Sequence, residues 1–210
     1  MSKREFLRGE VLNLLDDKLK SFGYKLIKSD SSFIQKNSFG WNKFTITFLV
    51  SENGWTIRPG LLIRFDIVEN LFHQVSNFEK KYQKGTPTLG VAIENLDTFG
   101  FNTRFDLNDT NQINSIVREL FELFKIVAIP FFAKFNKLSE VDSQLNKNIE
   151  DTSLTGDIFK GTKSLIIASL LKRNNLKELE KAYQSYYENF ADGFYLPEYI
   201  KLKELLQTDA

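Results

Sequence analysis

Alternation of apolar and polar residues is clearest between residues 43 and 67, where it predicts a β-hairpin. Every second residue from Phe44 to Val50 is apolar, and in a strand residues i and i+2 face the same side. Asn53-Gly54 is a strong turn signal, and beyond it the odd positions of 55–67 are apolar except at Pro59. Proline cannot donate to a ladder, so we expect an edge position or a bulge at Pro59-Gly60.

Shorter segments with the same period predict further strands before and after this hairpin. They are Tyr24–Lys28, Phe33–Asn37, Leu89–Ile93 and Phe101–Leu107. Because most are joined by short polar connections, we expect a mostly antiparallel sheet of about six strands.

Helical spacing of apolar residues predicts helices over 3–21, 69–82, 109–130 and 139–148. Gly23 is a plausible stop for the first helix. Asp109 and Gln112 form a capping-box pattern that begins the third. Pro130 is expected to kink or end that helix, because it lacks a backbone donor and clashes with the preceding turn.

The last third of the chain changes character. Residues 149–161 are polar and irregular and are interpreted as a linker, and residues 162–210 are wholly helical in pattern, with an αα-hairpin and a short helix. The sequence therefore predicts an α+β sheet domain over 1–148, with helices on one face of the sheet, followed by a helical C-terminal segment. Because so few helices cannot bury both faces, we expect them to dock on the sheet domain or on a partner.

Composition narrows the function classes. The 210 residues carry a net charge of +1, which removes the usual argument for nucleic-acid binding. The chain has no cysteine, which excludes disulfides and cysteine-based zinc sites and fits a cytoplasmic protein. The charged N-terminal residues do not form a secretory signal, and no stretch has the ~20 apolar residues of a membrane helix. No cofactor motif is present.

The tripeptide Arg-Phe-Asp occurs twice, at residues 64–66 and 104–106. In a strand each copy would bury its Phe and expose its Arg and Asp on the other face. If the two strands are antiparallel neighbours, Arg64 faces Asp106 and Asp66 faces Arg104. Alternatively, Arg58, Arg64 and Arg104 line one face of the sheet and bind an anionic group or an acidic partner. An internal duplication is a third interpretation.

His73 is the only histidine in the sequence, and it follows the first tripeptide closely. With Asp66 and Glu69 it could form an acid–base site, which is the enzyme alternative. One histidine is too few for the usual metal site, so the sequence predicts no metal centre. A half-buried helical histidine without chemistry is the simpler interpretation.

Aromatic residues are concentrated in the C-terminal helical segment. Tyrosine is common in interface hot spots because its ring is buried while its hydroxyl stays hydrated. The candidate binding residues here are Tyr186, Tyr187 and Tyr195. They either dock the segment on its own domain or meet another protein.

A resemblance rests on the N-terminal helix, the hairpin that ends in Arg64-Phe65-Asp66, and the helix that leads into Ile129-Pro130-Phe131-Phe132. In these elements the first two-thirds of the chain resembles small bacterial α+β domains of unknown function, some of them immunity-like. The resemblance implies a non-enzymatic protein whose partner is another protein, and it carries over no functional residue. We therefore expect an interaction module, with an enzyme or small-ligand binder as the alternative. The oligomeric state is left open.

Overall fold

The computed structural model describes residues 2–96, 98 and 100–208. Within them the chain forms an α+β fold that contains a six-stranded antiparallel sheet, as predicted. The strands are β1 (Lys25–Ile27), β2 (Ser32–Asn37), β3 (Gly40–Val50), β4 (Trp55–Phe65), β5 (Leu89–Ala92) and β6 (Phe105–Leu107). The helices are α1 (Lys3–Leu19), α2 (Asp66–Val75), α3 (Lys80–Gln83), α4 (Ile113–Leu123), α5 (Ile129–Lys134), α6 (Leu138–Leu145), α7 (Asp157–Leu170), α8 (Leu176–Asn189) and α9 (Leu196–Thr208).

Local signals at the ends of α1 explain its bounds. Ser2 and Glu5 form a capping box at the start, which satisfies two backbone donors that have no partner inside the helix. A 3₁₀ turn extends α1 to Phe22, and Gly23 ends it with a left-handed φ of 79°. The predicted helix and its glycine stop are confirmed.

The sheet has the order β1-β2-β3-β4-β5, and β6 pairs with β4. β2 is antiparallel to β3 from Ser32↔Thr45 to Asn37↔Gly40. The turn between β3 and β4 is closed by Ser51 N–H, which donates to Gly54 O at 3.2 Å. The predicted hairpin is therefore confirmed.

Pro59 lies inside β4, which is an interior strand, so the expected edge position is wrong. Its missing donor does not interrupt the pairing of β4 with β6, which ends before this residue. β6 pairs with β4 over Trp55–Ile57. A Cβ added to Gly60 would lie 3.3 Å from Val91 O in β5 and 2.8 Å from the Thr45 hydroxyl. Gly60 is thus required by the close approach of its neighbours.

The strand predicted to reach Ile67 ends at Phe65, and α2 begins at Asp66. The alternation of apolar residues continues through positions 63, 65 and 67, so the sequence pattern does not show that the strand ends at Phe65. Two carboxylates, Asp66 and Glu69, lie in the first turn of α2, where the helix dipole favours negative charge. The single helix predicted over 69–82 is two helices, α2 and α3, separated by residues 76–79.

Pro130 does not end the third predicted helix. Residues 124–128 form a π-helical turn after α4, and α5 then continues through Pro130 to Lys134. A π turn widens the helix, so the proline ring is accommodated beside a backbone that no longer follows the i→i−4 pattern. The capping box of Asp109 and Gln112 is confirmed.

The contacts of the chain divide it into two units, each made of two segments. The first unit contains Met1–Ile63 and Val91–Ala133, and the second contains Arg64–Gly90 and Lys134–Ala210. The predicted linker, 149–161, lies inside the second unit, and α7 begins within it at Asp157. In the first unit Phe124 packs edge-to-face on Tyr24 and Phe44, with ring centroids 5.0 and 5.5 Å apart.

The second unit is built around α7. Its residues 160–168 are all buried, and α7 packs against α2, α6, α8 and α9. The C-terminal helices thus bury their apolar faces against helices of their own unit. Among the described residues, no helix is both long and apolar enough to cross a membrane.

Candidate functional site in the second unit

The candidate site lies where one face of α2 meets α7 and the loop that precedes β5. Glu69, Phe72 and His73 are separated by three and four positions on α2, so they share a helix face. The loop contributes Thr86 and Thr88, and α7 contributes Lys163. All of these residues belong to the second unit.

Glu69 is a fully buried carboxylate with its charge satisfied on both oxygens. Its Oε1 lies 3.0 Å from Lys163 Nζ and accepts a hydrogen bond from the Thr88 hydroxyl at 3.0 Å. Its Oε2 accepts from the Thr86 hydroxyl at 2.7 Å. A buried carboxylate is tolerated when it is paired and hydrogen-bonded in this way.

Lys163 is 3% exposed, and several groups contact its ammonium. Besides Glu69, its ammonium donates to Pro87 O. The rings of Phe72 and Phe159 lie 5.0 and 5.2 Å from Nζ, within range of a cation–π interaction. Burial lowers the pKa of Lys163, and the charge of Glu69 opposes that shift.

Thr86 joins His73 to Glu69. His73 Nε2 lies 2.7 Å from the Thr86 oxygen, and His73 Nδ1 lies 2.8 Å from Ser76 Oγ. Because the single hydroxyl hydrogen of Thr86 goes to the Glu69 carboxylate, we assign the proton of His73 to Nε2, with Nδ1 accepting from Ser76. Burial lowers the pKa of His73, which keeps the ring neutral at pH 7.

Arg64 completes the cluster. Its Nη1 donates to the carbonyls of Gln83 and Thr86 at 2.8 Å each, and its Nε donates to Asp66 Oδ1 at 2.6 Å. Arg64 and Lys163 supply two positive charges, and Asp66 and Glu69 supply two negative ones. With His73 neutral, the cluster carries no net charge.

A cavity of about 480 Å³ opens beside this cluster. Four aromatic residues and Lys163 are among the residues that line it. Thr155 is one of the lining residues, and its hydroxyl oxygen is buried and has no hydrogen-bond partner among the described residues. The lining residues are Phe72, Phe78, Tyr82, Gly85, Thr86, Pro87, Thr88, Gly90, Thr155, Gly156, Phe159 and Lys163.

Of the three residues that the sequence offered as an acid–base site, the structure brings Glu69 and His73 together but not Asp66. His73 Nε2 lies 3.9 Å from Glu69 Oε2, whereas Asp66 is largely exposed and pairs with Arg64. None of the three is among the described residues that line the cavity. Catalysis by this trio stays a prediction.

Sequence reasoning missed Lys163, which is 94 residues from Glu69. A weak signal was present in α7. The small residues Gly161, Ser164 and Ala168 lie among lysines and large apolar residues in this helix, a composition that indicates close packing on several sides. A Cβ added to Gly161 would lie 2.5 Å from the Tyr187 ring.

The predicted arginine face is not formed as expected. Arg64 is 4% exposed, so its position on a solvent-facing side is wrong. In the first unit, Arg58 and Arg104 both pair with Glu94. Asp106 lies opposite Thr56, whose hydroxyl donates to it at 2.9 Å, so the cross-strand pairing of the two tripeptides is also wrong.

The C-terminal tyrosines separate into buried and accessible residues. Tyr187 is fully buried, and its hydroxyl accepts from Gly161 N–H and Thr162 N–H at 3.1 Å each, so of the two interpretations the one in which Tyr187 meets another protein is wrong. Tyr186 and Tyr195 are half-buried and both stack on Phe190, with ring centroids 5.6 and 5.8 Å apart. Next to them Phe194 is 76% exposed.

In the part of the chain that the structure describes, no group of three or more histidine or carboxylate residues could hold a metal ion. A scan against protein-family models and searches of curated proteins and of solved structures found no match for this chain.

Proposed function

We propose that the second unit binds a small ligand with a flat apolar group in the cavity beside Lys163. The observation that carries this proposal is the combination of aromatic walls with a buried, partnerless Thr155 hydroxyl. Ligand sites are typically concave and mostly apolar, with few polar groups that fix orientation. The volume of about 480 Å³ lies within the usual range of such sites.

The charges favour an uncharged ligand over an anion. Lys163 is paired with Glu69, and Arg64 is paired with Asp66. Binding an anion would require it to compete with these carboxylates, or to be buried without compensation, which is costly. A neutral ring with one hydrogen-bonding group matches the walls and the free hydroxyl of Thr155.

Saturation-transfer NMR with benzyl alcohol as the probe tests the proposal. We expect transfer with the wild-type protein and its loss in Thr155→Trp, because the indole ring fills the cavity. Ser153→Trp is the matched control, since Ser153 is exposed on the same turn. If no transfer occurs with the wild type, or if both variants retain it equally, the proposal is wrong.

A protein-interaction module of the immunity-like or regulatory kind is the second candidate. It is supported by the exposed ring of Phe194 beside the half-buried Tyr195, because aromatic residues are enriched at interfaces. Phe194→Ser should abolish the retention of a partner that the wild-type protein captures from its host. Phe101→Ser, at another exposed phenylalanine, should not. Equal capture by both variants would remove this candidate.

The bacterial origin that the resemblance implies and the cytoplasmic location expected from the composition remain predictions. The same holds for the expectation that the chain does not bind nucleic acid.

A further inference from the structure

We infer that Lys163 condenses with the carbonyl group of a small aldehyde bound in the cavity and holds it as an imine. This inference rests on the proposed ligand-binding function and names the substrate class of the same site. It concerns the class of aromatic or otherwise flat apolar aldehydes.

The position of Lys163 is the first argument. Lys163 is one of the residues that line the cavity, and its Nζ lies 5.0 and 5.2 Å from the ring centroids of Phe72 and Phe159, which also line it. An aldehyde whose ring packs against these aromatic walls would bring its carbonyl carbon close to Nζ. Such positioning of two reacting groups is a large part of what a binding site contributes to a reaction.

The proton acceptor is the second argument. An ammonium group must lose a proton before it can act as a nucleophile. Glu69 Oε1, 3.0 Å from Nζ, can accept it. Burial favours the neutral amine form of Lys163 over the ammonium form. The lowered pKa of Lys163 agrees with this direction.

The reaction balances within the site. The amine nitrogen forms a bond to the carbonyl carbon, and the carbonyl oxygen takes the proton held by Glu69, which gives a carbinolamine. After the attack the nitrogen carries a surplus proton, which it gives to the Glu69 carboxylate, and Glu69 passes this proton to the hydroxyl. The carbon–oxygen bond then breaks, water leaves, and the nitrogen lone pair forms the carbon–nitrogen double bond. The resulting protonated imine keeps one positive charge, which faces the Glu69 carboxylate and the two rings as the ammonium did.

Lys160 provides an internal control in the same helix. It is fully buried, and burial lowers its pKa to about 8. Its Nζ donates to Leu145 O at 2.5 Å, and Lys160 is not among the described residues that line the cavity. Reactivity at Lys163 but not at Lys160 would therefore reflect the cavity rather than burial.

The test is reductive trapping. The wild-type protein is incubated with benzaldehyde and sodium cyanoborohydride at about neutral pH, and modified lysines are located by peptide mass spectrometry. We expect Lys163 to be modified at least about tenfold faster than any other lysine, because an amine held beside a bound aldehyde gains from the proximity of the two reacting groups. Thr155→Trp should lower the rate at Lys163 about tenfold, and Ser153→Trp should leave it unchanged.

The outcomes separate the two proposals. If benzyl alcohol binds but benzaldehyde leaves Lys163 unmodified, the imine is overturned and the ligand site stands. Modification of Lys160 as fast as Lys163, or unchanged modification in Thr155→Trp, also overturns the imine. If neither compound binds, both proposals fail.

Discussion

The two copies of Arg-Phe-Asp have the same sequence and opposite environments. In the first copy the Arg64 side chain is 5% exposed, pairs with Asp66 and holds the loop carbonyls of Gln83 and Thr86. In the second, the Arg104 side chain is 62% exposed and pairs with Glu94. Both phenylalanines are buried. The comparison shows that a strand period fixes where an apolar side chain goes, whereas the role of a charge depends on which loops and helices lie against it.

The largest expected difference between the copies is in stability. Arg64→Met should lower the free energy of unfolding by about 3 kcal/mol, because it leaves the half-buried carbonyls of Gln83 and Thr86 without their donor and Asp66 without its partner. Arg104→Met should cost less than about 0.5 kcal/mol, as is usual for an exposed ion pair. Urea denaturation of both variants measures the difference, and similar losses would contradict the contrast.

Thr86 connects Arg64 to the buried Glu69. Removing its hydroxyl therefore tests whether the buried network around the first tripeptide stabilises the protein. Thr86→Val keeps the shape of the side chain but removes contacts to Arg64, Glu69 and His73. We expect a loss of about 2 kcal/mol. Thr110→Val, which removes an exposed bond to Asp109, is the matched control and should cost less than about 0.5 kcal/mol. A loss in the Thr86 variant no larger than in this control would show that the network is not stabilising.

The two aspartates should also differ, though by less. Asp66→Asn removes the charge opposite buried Arg64 and should cost about 1 kcal/mol. Asp106→Asn keeps an acceptor for the Thr56 hydroxyl and should change stability by less than about 0.3 kcal/mol. Thermal unfolding of the two variants under the same conditions ranks them. The reverse order would mean that Asp66 is solvated rather than paired with Arg64.

The smallest expected effect is a dependence of the free energy of unfolding on pH. It arises from His73, which lies near the first copy of the tripeptide and has no counterpart near the second. His73 has a lowered pKa in the folded protein, so the unfolded chain binds a proton more readily. Stability should therefore fall as pH drops below the unfolded value of about 6.5. Burial causes the shift, and of the charges that face the ring, Glu69 opposes it while Arg64 and Lys163 add to it. The net effect is consequently modest.

Urea denaturation at about pH 7.5 and about pH 5.5 measures this dependence against His73→Asn, which removes the titration. The wild type should lose more stability on acidification than the variant does. Equal losses would show that the ring is not held neutral by its surroundings.

Local signals made much of the fold predictable. The hairpin at Asn53-Gly54 and the capping box of Asp109 and Gln112 each depend on residues within a few positions of one another, and both are present. The boundary at Asp66 was missed because Ile63, Phe65 and Ile67 fit a strand as well as the start of a helix. The π turn before Pro130 was missed because proline alone predicts a break.

The site could be predicted only in part, because some of its residues are far apart in the sequence. Glu69 and His73 lie on one helix face, and their spacing is readable from the sequence. Lys163 and Phe159 come from a helix far along the chain, and nothing in their local pattern specifies which carboxylate or which rings they will meet. Arg64 was placed on the wrong side because the loop at residues 83–88 that covers it has no periodic pattern.

The separation of Glu69 from Lys163 has a consequence for synthesis on the ribosome. The pair is 94 residues apart, and chains grow at about 5–20 residues per second. For about 5–20 s after α2 emerges, its carboxylate has no counter-ion and its apolar face lacks α7. During that interval the nascent chain exposes a hydrophobic helix of the kind that chaperones bind. A variant in which Glu69 is replaced by a neutral residue would remove the unpaired charge at this stage but leave Lys163 unpaired when synthesis is complete.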